Sequence, residues 1–79
     1  MATADIVRET LANHAQAAIP ADPETSLFET GVIDSFGLLE VVADLESRFG
    51  IRVPDSEMVP RRFETIAKIC AYVDSRRNG

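Results

Sequence analysis

Asp34-Ser35 is the residue pair in this chain that is best placed to do chemistry. Asp34 follows a turn-rich stretch and precedes apolar residues at helical spacing, which is where an N-cap residue belongs. Ser35 would then lie at the positive end of the helix dipole, where backbone N–H groups without helical partners favour a phosphate ester. We therefore predict that Ser35 is a site of covalent attachment. The simpler alternative is that the pair only caps the helix.

The other reactive side chains do not form a catalytic set. The chain has one histidine, His14, and one cysteine, Cys70, with no residues at metal-ligand spacing. It has no glycine loop that could cradle a phosphate and no Ser–His–carboxylate arrangement. Ser35 also lacks a base to activate it, so another protein would have to do so. We expect a non-catalytic protein in which His14 is half-buried and structural and Cys70 is an inert core thiol.

The helix that would position Ser35 is predicted to run from about residue 35 to residue 49. Apolar residues recur along it at i, i+3, i+4 and i+7, and Gly50 is a typical residue for ending it. Its predicted buried face consists of Leu38, Val41, Val42, Leu45 and Phe49. Gly37 interrupts the helix at a cost of about 1 kcal/mol relative to alanine. We hypothesise that it lets a partner or an attached group approach the backbone.

Phe36 and Leu39 face away from this buried stripe, close to Ser35. They are large apolar residues without an obvious core to fill, and Glu40 and Asp44 border them. An exposed apolar patch with a charged rim is typical of a protein-docking site. The alternative is that one of the two side chains folds inward under the preceding loop.

A first helix is expected near the N-terminus. Thr3 can cap it, Asp5 adds a favourable negative charge in its first turn, and Pro20 ends it. Its apolar stripe consists of Ile6, Val7, Leu11, Ala15, Ala18 and Ile19. We interpret it as a packing helix.

The connection 20–34 is long for so small a domain, and it should have structure of its own. Ser26 and Glu29 match a capping box for a short helical turn, which Gly31 would terminate. The residues expected to hold this connection on the core are Leu27, Phe28, Val32 and Ile33. Their burial would fix the direction in which Ser35 points.

The C-terminal part is predicted to add one short helix and one longer helix. Residues 51–54 alternate in polarity but are too few and too isolated for a sheet. Pro60 would begin a brief helical turn through Phe63, and Thr65 would cap a last helix that frays from Asp74 onward. The residues of this last helix expected to face inward are Ile66, Ile69, Cys70, Tyr72 and Val73.

These elements predict a single all-α domain spanning residues 1–79. With 46% hydrophobic and 27% charged residues, the composition is that of an ordinary folded domain rather than a disordered tail. The predicted fold is a small four-helix bundle of three main helices and one short third helix. We expect a monomer of modest stability.

The net charge of −5 is unevenly distributed along the chain. No lysine or arginine occurs between Arg8 and Arg48, whereas acidic residues recur throughout that interval. Such a surface disfavours nucleic-acid binding and attracts partners with basic patches. No apolar run approaches the roughly 20 residues of a membrane helix, and a signal-peptide pattern is missing at the N-terminus. A cytoplasmic protein is expected, which fits a single cysteine without a disulfide partner.

Three stretches occur together at a characteristic spacing. They are Gly31-Val32-Ile33-Asp34-Ser35-Phe36, then Leu38-Leu39-Glu40-Val41-Val42, then Phe49-Gly50-Ile51-Arg52-Val53-Pro54-Asp55. In this combination the chain resembles, over nearly its whole length, the acyl carrier protein family, which includes peptidyl and D-alanyl carriers. The resemblance implies that a magnesium-dependent phosphopantetheinyl transferase attaches 4′-phosphopantetheine from coenzyme A to Ser35. The thiol of that arm would then carry a cargo as a thioester.

The resemblance also implies a surface for partners. Residues matching the partner-facing side of the family's second helix are Phe36, Leu39, Glu40, Ala43 and Asp44. Met58 and Val59 match positions that lie near the arm in relatives, and simple core filling is an equal alternative for them. The implied partners are the transferase, an adenylating ligase or acyltransferase that loads the arm, and downstream enzymes with basic docking patches.

Some positions bear on the cargo. Phe36 replaces the leucine most typical of fatty-acid carriers, and the stretch 56–65 resembles in length that of D-alanyl carriers. Those carriers also have a glycine at the position of Gly37 and an aromatic residue at that of Phe63. We therefore favour an aminoacyl or short acyl cargo in a free-standing carrier of bacterial natural-product or cell-envelope biosynthesis. The alternatives are a fatty-acid or polyketide carrier, or an unmodified helical adaptor that binds a basic partner.

Overall fold

The structure is a computed structural model that describes residues 2–77. Its elements are the α-helices Thr3–His14 (α1), Ser35–Phe49 (α2) and Ile66–Arg77 (α3), and the single-turn 3₁₀ helices Asp55–Glu57 and Pro60–Arg62. Within residues 2–77 there is no strand, and the predicted all-α class is confirmed. The predicted short third helix is the 3₁₀ turn that begins at Pro60. The turn before it was not predicted. Met1, Asn78 and Gly79, at the ends of the predicted domain, lie outside the described residues.

The core is built around α1, which packs against both α2 and α3. Buried apolar residues come from every part of the chain: Val7, Leu11, Leu27, Val32, Ile33, Leu38, Val41, Val42, Leu45, Val53, Phe63, Ile66, Ile69, Tyr72 and Val73. Three of them belong to the α1–α2 connection, as predicted. Because that connection is buried on the core, the start of α2 has a fixed position relative to the rest of the domain.

The first helix ends earlier than predicted, at His14 rather than before Pro20. Ala15 is already extended, with φ −72° and ψ 144°. Arg8 donates hydrogen bonds to the carbonyl oxygens of Pro20 and Ala21 at 2.8 and 2.9 Å, which draws the following segment back along α1. Ala15 and Ile19 still pack on the core. The apolar spacing of these two residues, which suggested a longer helix, therefore reflects the burial of an extended segment.

The start of α1 lies beside the last turns of α3, and this contact changes two predictions. Thr3 does not cap α1, since the N-cap position is Ala2, and the Thr3 hydroxyl instead donates to Asp74 Oδ1 at 3.0 Å. The predicted fraying from Asp74 is wrong over residues 74–77, because α3 continues through Arg77; the rest of the predicted fraying lies outside the described residues. The Arg77 guanidinium lies 5.4 Å from the centroid of the Phe49 ring, where a cation is favoured. Contacts with other helices thus stabilise a terminus whose own sequence is polar.

The start of α3 agrees with the prediction. The hydroxyl of Thr65 accepts the backbone N–H of Lys68 at 3.1 Å, which is the N-cap bond expected there. Phe63 is fully buried just before this helix, and its ring centroid lies 5.0 Å from that of Tyr72. The second 3₁₀ turn is therefore anchored on α3 through an aromatic pair.

Candidate functional site

The predicted helix start at Ser35 is confirmed. Asp34 is extended, with φ −118° and ψ −175°, and its Oδ1 accepts the backbone N–H of Gly37 at 2.7 Å. The Asp34 carbonyl oxygen accepts the N–H of Leu38 at 2.9 Å and so begins the helical ladder. Ser35 is the first residue of α2 and is exposed. Within residues 2–77 its hydroxyl has no hydrogen-bond partner, so the oxygen is accessible to another protein.

The connection before Ser35 is fixed by backbone hydrogen bonds at several points. The N–H of Leu27 donates to the Glu64 carbonyl oxygen at 2.7 Å, which joins the connection to the segment before α3. The predicted turn is present, since the Glu29 N–H donates to Ser26 Oγ at 3.2 Å and Gly31 follows with φ 77°. Only glycine adopts that conformation without strain. Ser35 therefore follows a loop whose conformation is fixed by hydrogen bonds.

Gln16 also contacts this loop, and no pattern in the sequence indicated that it would. Its backbone N–H donates to the Val32 carbonyl oxygen at 2.9 Å, and its side-chain Nε2 donates to Asp34 Oδ2 at 3.2 Å. The hydrogen bond from the Gly37 N–H, and secondly the one from Gln16, hold the pKa of Asp34 below its ordinary value. Asp34 is therefore an anion beside Ser35 at neutral pH.

Gly37 has a structural explanation that differs from the hypothesis made on the sequence. The residue is buried, and a Cβ atom there would lie 3.3 Å from Asp34 Oδ1 and 3.8 Å from the Cβ of Ile33. A methyl group would therefore crowd the capping carboxylate rather than an approaching partner. The glycine keeps room for the cap at the expense of helix propensity.

Replacing Asp34 by alanine is expected to lower the urea midpoint of unfolding, because the N–H of Gly37 loses its acceptor. Asp34→Asn is the matched control, since its side-chain oxygen can accept the same bond and asparagine caps as well as aspartate. Far-ultraviolet circular dichroism in urea would measure both variants. An equal loss in both would mean that the charge of Asp34 or its bond from Gln16, and not its capping bond, stabilises the helix.

The apolar patch beside Ser35 is exposed. Phe36 is 80% and Leu39 53% exposed, so the prediction that both face outward is confirmed and the inward alternative is wrong. Ala43 lies farther along the same helix and is also exposed, and the Glu40 side chain is 71% exposed. These four residues, which we call the α2 patch, form a partly apolar surface with one accessible carboxylate.

Asp44 differs from the residues of the α2 patch, because its carboxylate is engaged by other side chains of the same chain. Its Oδ1 accepts a hydrogen bond from Arg48 Nε at 2.9 Å, and its Oδ2 lies 3.1 Å from His14 Nε2. The Asp44 side chain is only 25% exposed. Arg48 also reaches Glu9 Oε1 at 3.0 Å. The hydrogen bond from Arg48, chiefly, lowers the pKa of Asp44. His14 is half-buried, as predicted, and its Nδ1 lies 3.6 Å from Glu40 Oε2.

Residues 4–73 match the family model described as "Phosphopantetheine attachment site". The chain belongs to this carrier protein family. It is 46% identical over 55 residues to the D-alanyl carrier protein of Streptococcus thermophilus (strain ATCC BAA-491 / LMD-9), covering 70% of each chain. It is 38% identical over 71 residues to that of Streptococcus suis (strain 05ZYH33), covering 85% of this chain and 90% of the relative. It is 39% identical over 51 residues to that of Lacticaseibacillus casei (strain BL23), covering 65% and 63%.

Membership of the family shows that the protein is a phosphopantetheine-dependent carrier, as the resemblance implied, with covalently attached 4′-phosphopantetheine as its cofactor. The residues present fit this group, because an exposed serine hydroxyl without a hydrogen-bond partner in the described part of the chain lies at the N-terminus of a helix. Within residues 2–77, the helices are too short or too polar to cross a membrane.

The remaining predicted positions lie outside helix α2 in the sequence. Met58 and Val59 are partly buried between the two 3₁₀ turns, and Met58 packs against the core. For Met58, core filling therefore has direct structural support. Cys70 is partly buried against the core, and this burial raises the pKa of its thiol. A raised pKa disfavours the reactive thiolate.

Proposed function

We propose that Ser35 carries the arm and that the arm holds an aminoacyl cargo, most specifically a D-alanyl group, as a thioester. The assignment of the residue rests on the exposed hydroxyl of Ser35 at the capped start of α2, which has no hydrogen-bond partner among residues 2–77. Similarity to D-alanyl carrier proteins of three bacterial species supports the cargo. We infer that residues 1–79 form one carrier domain with no catalytic activity of its own, acting as a monomer in cell-envelope biosynthesis.

Attachment is a phosphoryl transfer to Ser35. The hydroxyl oxygen forms a bond to the phosphorus next to the pantetheine of coenzyme A, and the phosphoanhydride bond of coenzyme A breaks. The adenosine bisphosphate half leaves with the electron pair of that bond, and the hydroxyl proton passes to a base on the transferase. Mg²⁺ bound with coenzyme A offsets the phosphate charge. Ser35 needs an external base because no side chain of the described residues is hydrogen-bonded to it.

The carrier's own residues orient the reaction and do not catalyse it. The arm supplies a thiol that holds the activated acyl group. Asp34 caps the helix and fixes the backbone next to Ser35, and the helix dipole favours a phosphodiester at this end. The buried residues of the connection hold the whole loop on the core. Tethering then raises the effective concentration of cargo at each partner enzyme.

The proposed partners are a phosphopantetheinyl transferase, an adenylating ligase that loads the amino acid using ATP, and a downstream acyl-accepting enzyme. We propose that they dock on the α2 patch, with basic residues facing Glu40 and apolar residues facing Phe36 and Leu39. Asp44 would stabilise the fold and not contact a partner, since its two oxygens already bind Arg48 and His14. Met58 and Val59 would border the arm. We place the reaction in the cytoplasm, where coenzyme A and ATP are available.

Intact mass measurement tests this proposal directly. The purified protein is incubated with coenzyme A, Mg²⁺ and a broad-specificity transferase, and tandem mass spectrometry of the digest locates any adduct. The modified protein is then offered ATP and a D-alanine-activating ligase with D-alanine, L-alanine or glycine, and separately malonyl or long-chain acyl donors with their transferases. We expect one adduct on Ser35 and loading by D-alanine. Loading only by malonyl or long-chain groups would support the fatty-acid or polyketide alternative instead.

Charge reversal at Glu40 tests the docking surface. Glu40→Lys is expected to raise the KM of the transferase for the carrier about two- to fivefold, because one exposed charge pair becomes a repulsion, and to leave kcat unchanged. Glu24→Lys, an exposed carboxylate on the α1–α2 connection, makes the same change in net charge and is the matched control. The difference should shrink at high salt. An equal effect of both variants would indicate only long-range attraction by net charge.

A further inference from the structure

Gln16 lies two residues beyond the end of α1, and it is tied to the loop before Ser35 by two hydrogen bonds. Its backbone N–H binds the carbonyl oxygen of Val32, and its side-chain amide binds Oδ2 of Asp34. The residue between these two acceptors, Ile33, is buried. Gln16 therefore forms hydrogen bonds to the residues before and after Ile33, which is the last buried residue before the site.

The capping carboxylate is held at both oxygens. Oδ1 of Asp34 accepts the Gly37 N–H at 2.7 Å, and Oδ2 accepts the Gln16 Nε2 at 3.2 Å. With both oxygens engaged, rotation of the carboxylate away from its capping orientation would break two bonds. Gly37 leaves the space that this orientation needs, because a Cβ there would stand 3.3 Å from Oδ1.

The chemistry of the donors distinguishes Asp34 from Asp44. Asp44 is held by the guanidinium of Arg48 and by His14, whereas Asp34 is held by a backbone amide and a neutral side-chain amide. A neutral donor fixes the geometry of a carboxylate without cancelling its charge. Asp34 thus stays both oriented and negative next to the hydroxyl that reacts.

We propose that Gln16 is a positioning residue for modification of Ser35, and that it acts by holding the Asp34 carboxylate in its capping orientation. The backbone of Asp34 is joined directly to that of Ser35. Holding the Asp34 side chain in its capping orientation therefore sets the direction in which the Ser35 hydroxyl is presented to the transferase. Small misplacements of a reacting group lower the rate of a transfer step more than they weaken binding. This inference rests on the proposed attachment at Ser35.

Three variants test the role of Gln16. Gln16→Ala removes the side-chain donor and keeps the backbone bond to Val32. Gln16→Glu keeps the shape but replaces the donor by a carboxylate that repels Asp34. Asn13→Ala is the matched control, because Asn13 is an exposed amide residue near the end of α1 whose side chain makes no hydrogen bond within residues 2–77.

Two measurements separate positioning from stability. The initial rate of phosphopantetheine transfer gives kcat and KM, and nuclear magnetic resonance gives the amide shift of Gly37 and the pKa of the Asp34 carboxyl. We expect Gln16→Ala to lower kcat about two- to tenfold, the equivalent of one hydrogen bond, with KM and the urea midpoint close to those of Asn13→Ala. The Gly37 amide resonance should move and the pKa of Asp34 should rise. Gln16→Glu should be slower still.

The possible failures are distinguishable. An unchanged Asp34 pKa and Gly37 shift in Gln16→Ala would mean that the bond is not populated in solution, which overturns the proposal. A changed pKa with unchanged kcat would show that Gln16 holds Asp34 without positioning Ser35, which also overturns it. A loss of kcat that follows the urea midpoint would show a merely structural role. If the wild-type chain is not modified at Ser35, the proposed function itself fails, and the positioning role with it.

Discussion

Ser35→Ala is expected to abolish phosphopantetheine attachment while leaving the helical fold intact. The variant lacks the oxygen that forms the bond to phosphorus, so no slower route through the same residue exists. The fold should tolerate the change, because Ser35 is exposed, its hydroxyl has no partner within residues 2–77, and alanine is a good helix former. Intact mass after incubation with coenzyme A, Mg²⁺ and the transferase would show a single adduct on the wild type and none on the variant.

Ser47→Ala is the control for this experiment. Ser47 is an exposed serine on the same helix, farther from its N-terminus, and its loss should leave modification complete. An adduct that persists in Ser35→Ala would place the attachment on another residue. Loss of the helical circular dichroism signal in Ser35→Ala would show that Ser35 is needed for the fold. A wild type that stays unmodified, beside a known carrier modified in parallel, would favour an unmodified adaptor that uses the α2 patch.

Helix α2 could be predicted from the sequence because its signals are local. Asp34 supplies a cap within three residues of the N–H that it accepts, and Gly50 adopts the left-handed conformation, φ 65°, that ends the helix. The apolar face between them has only one helical orientation that buries it. The exposure of Phe36 and Leu39 follows from that same orientation.

The features that could not be predicted depend on residues far apart in the chain. The end of α1 is set by hydrogen bonds from Arg8 and Gln16 to the following connection, and the run Ala15-Gln16-Ala17-Ala18-Ile19 gives no sign of them. Asp44 looked equivalent to Glu40 because both lie on the outer side of α2. Only the packing of α1 brings His14 to Asp44 and so withdraws that carboxylate from the surface.

The site combines both kinds of information. Local signals place Ser35 at a helix start, and tertiary contacts decide how firmly that start is held. Leu27 bonds to the Glu64 carbonyl before α3, and Gln16 bonds to Asp34 from beyond α1. The loop before Ser35 is thus stabilised by the segments next to α1 and α3, which explains why so long a connection can present one hydroxyl in one direction.

Phe63→Ala is expected to have the largest effect on stability. Phe63 is fully buried and pairs with the ring of Tyr72 at 5.0 Å between centroids, with an interplanar angle of 59°. Removing a buried phenyl ring costs roughly 3–5 kcal/mol, whereas a domain of this length has a free energy of unfolding of only about 4–12 kcal/mol. The variant should therefore lose much of its stability, and the 3₁₀ turn that begins at Pro60 should detach from α3.

Phe36→Ala makes the same substitution at an exposed position and is the control. Because Phe36 is 80% exposed, its loss should change the free energy of unfolding by no more than about 0.5 kcal/mol. Urea unfolding followed by circular dichroism would compare the two variants. Near-wild-type stability of Phe63→Ala would place its ring outside the core. Equal destabilisation by Phe36→Ala would mean that Phe36 is buried in solution, and the docking role of the α2 patch would then lose its main support.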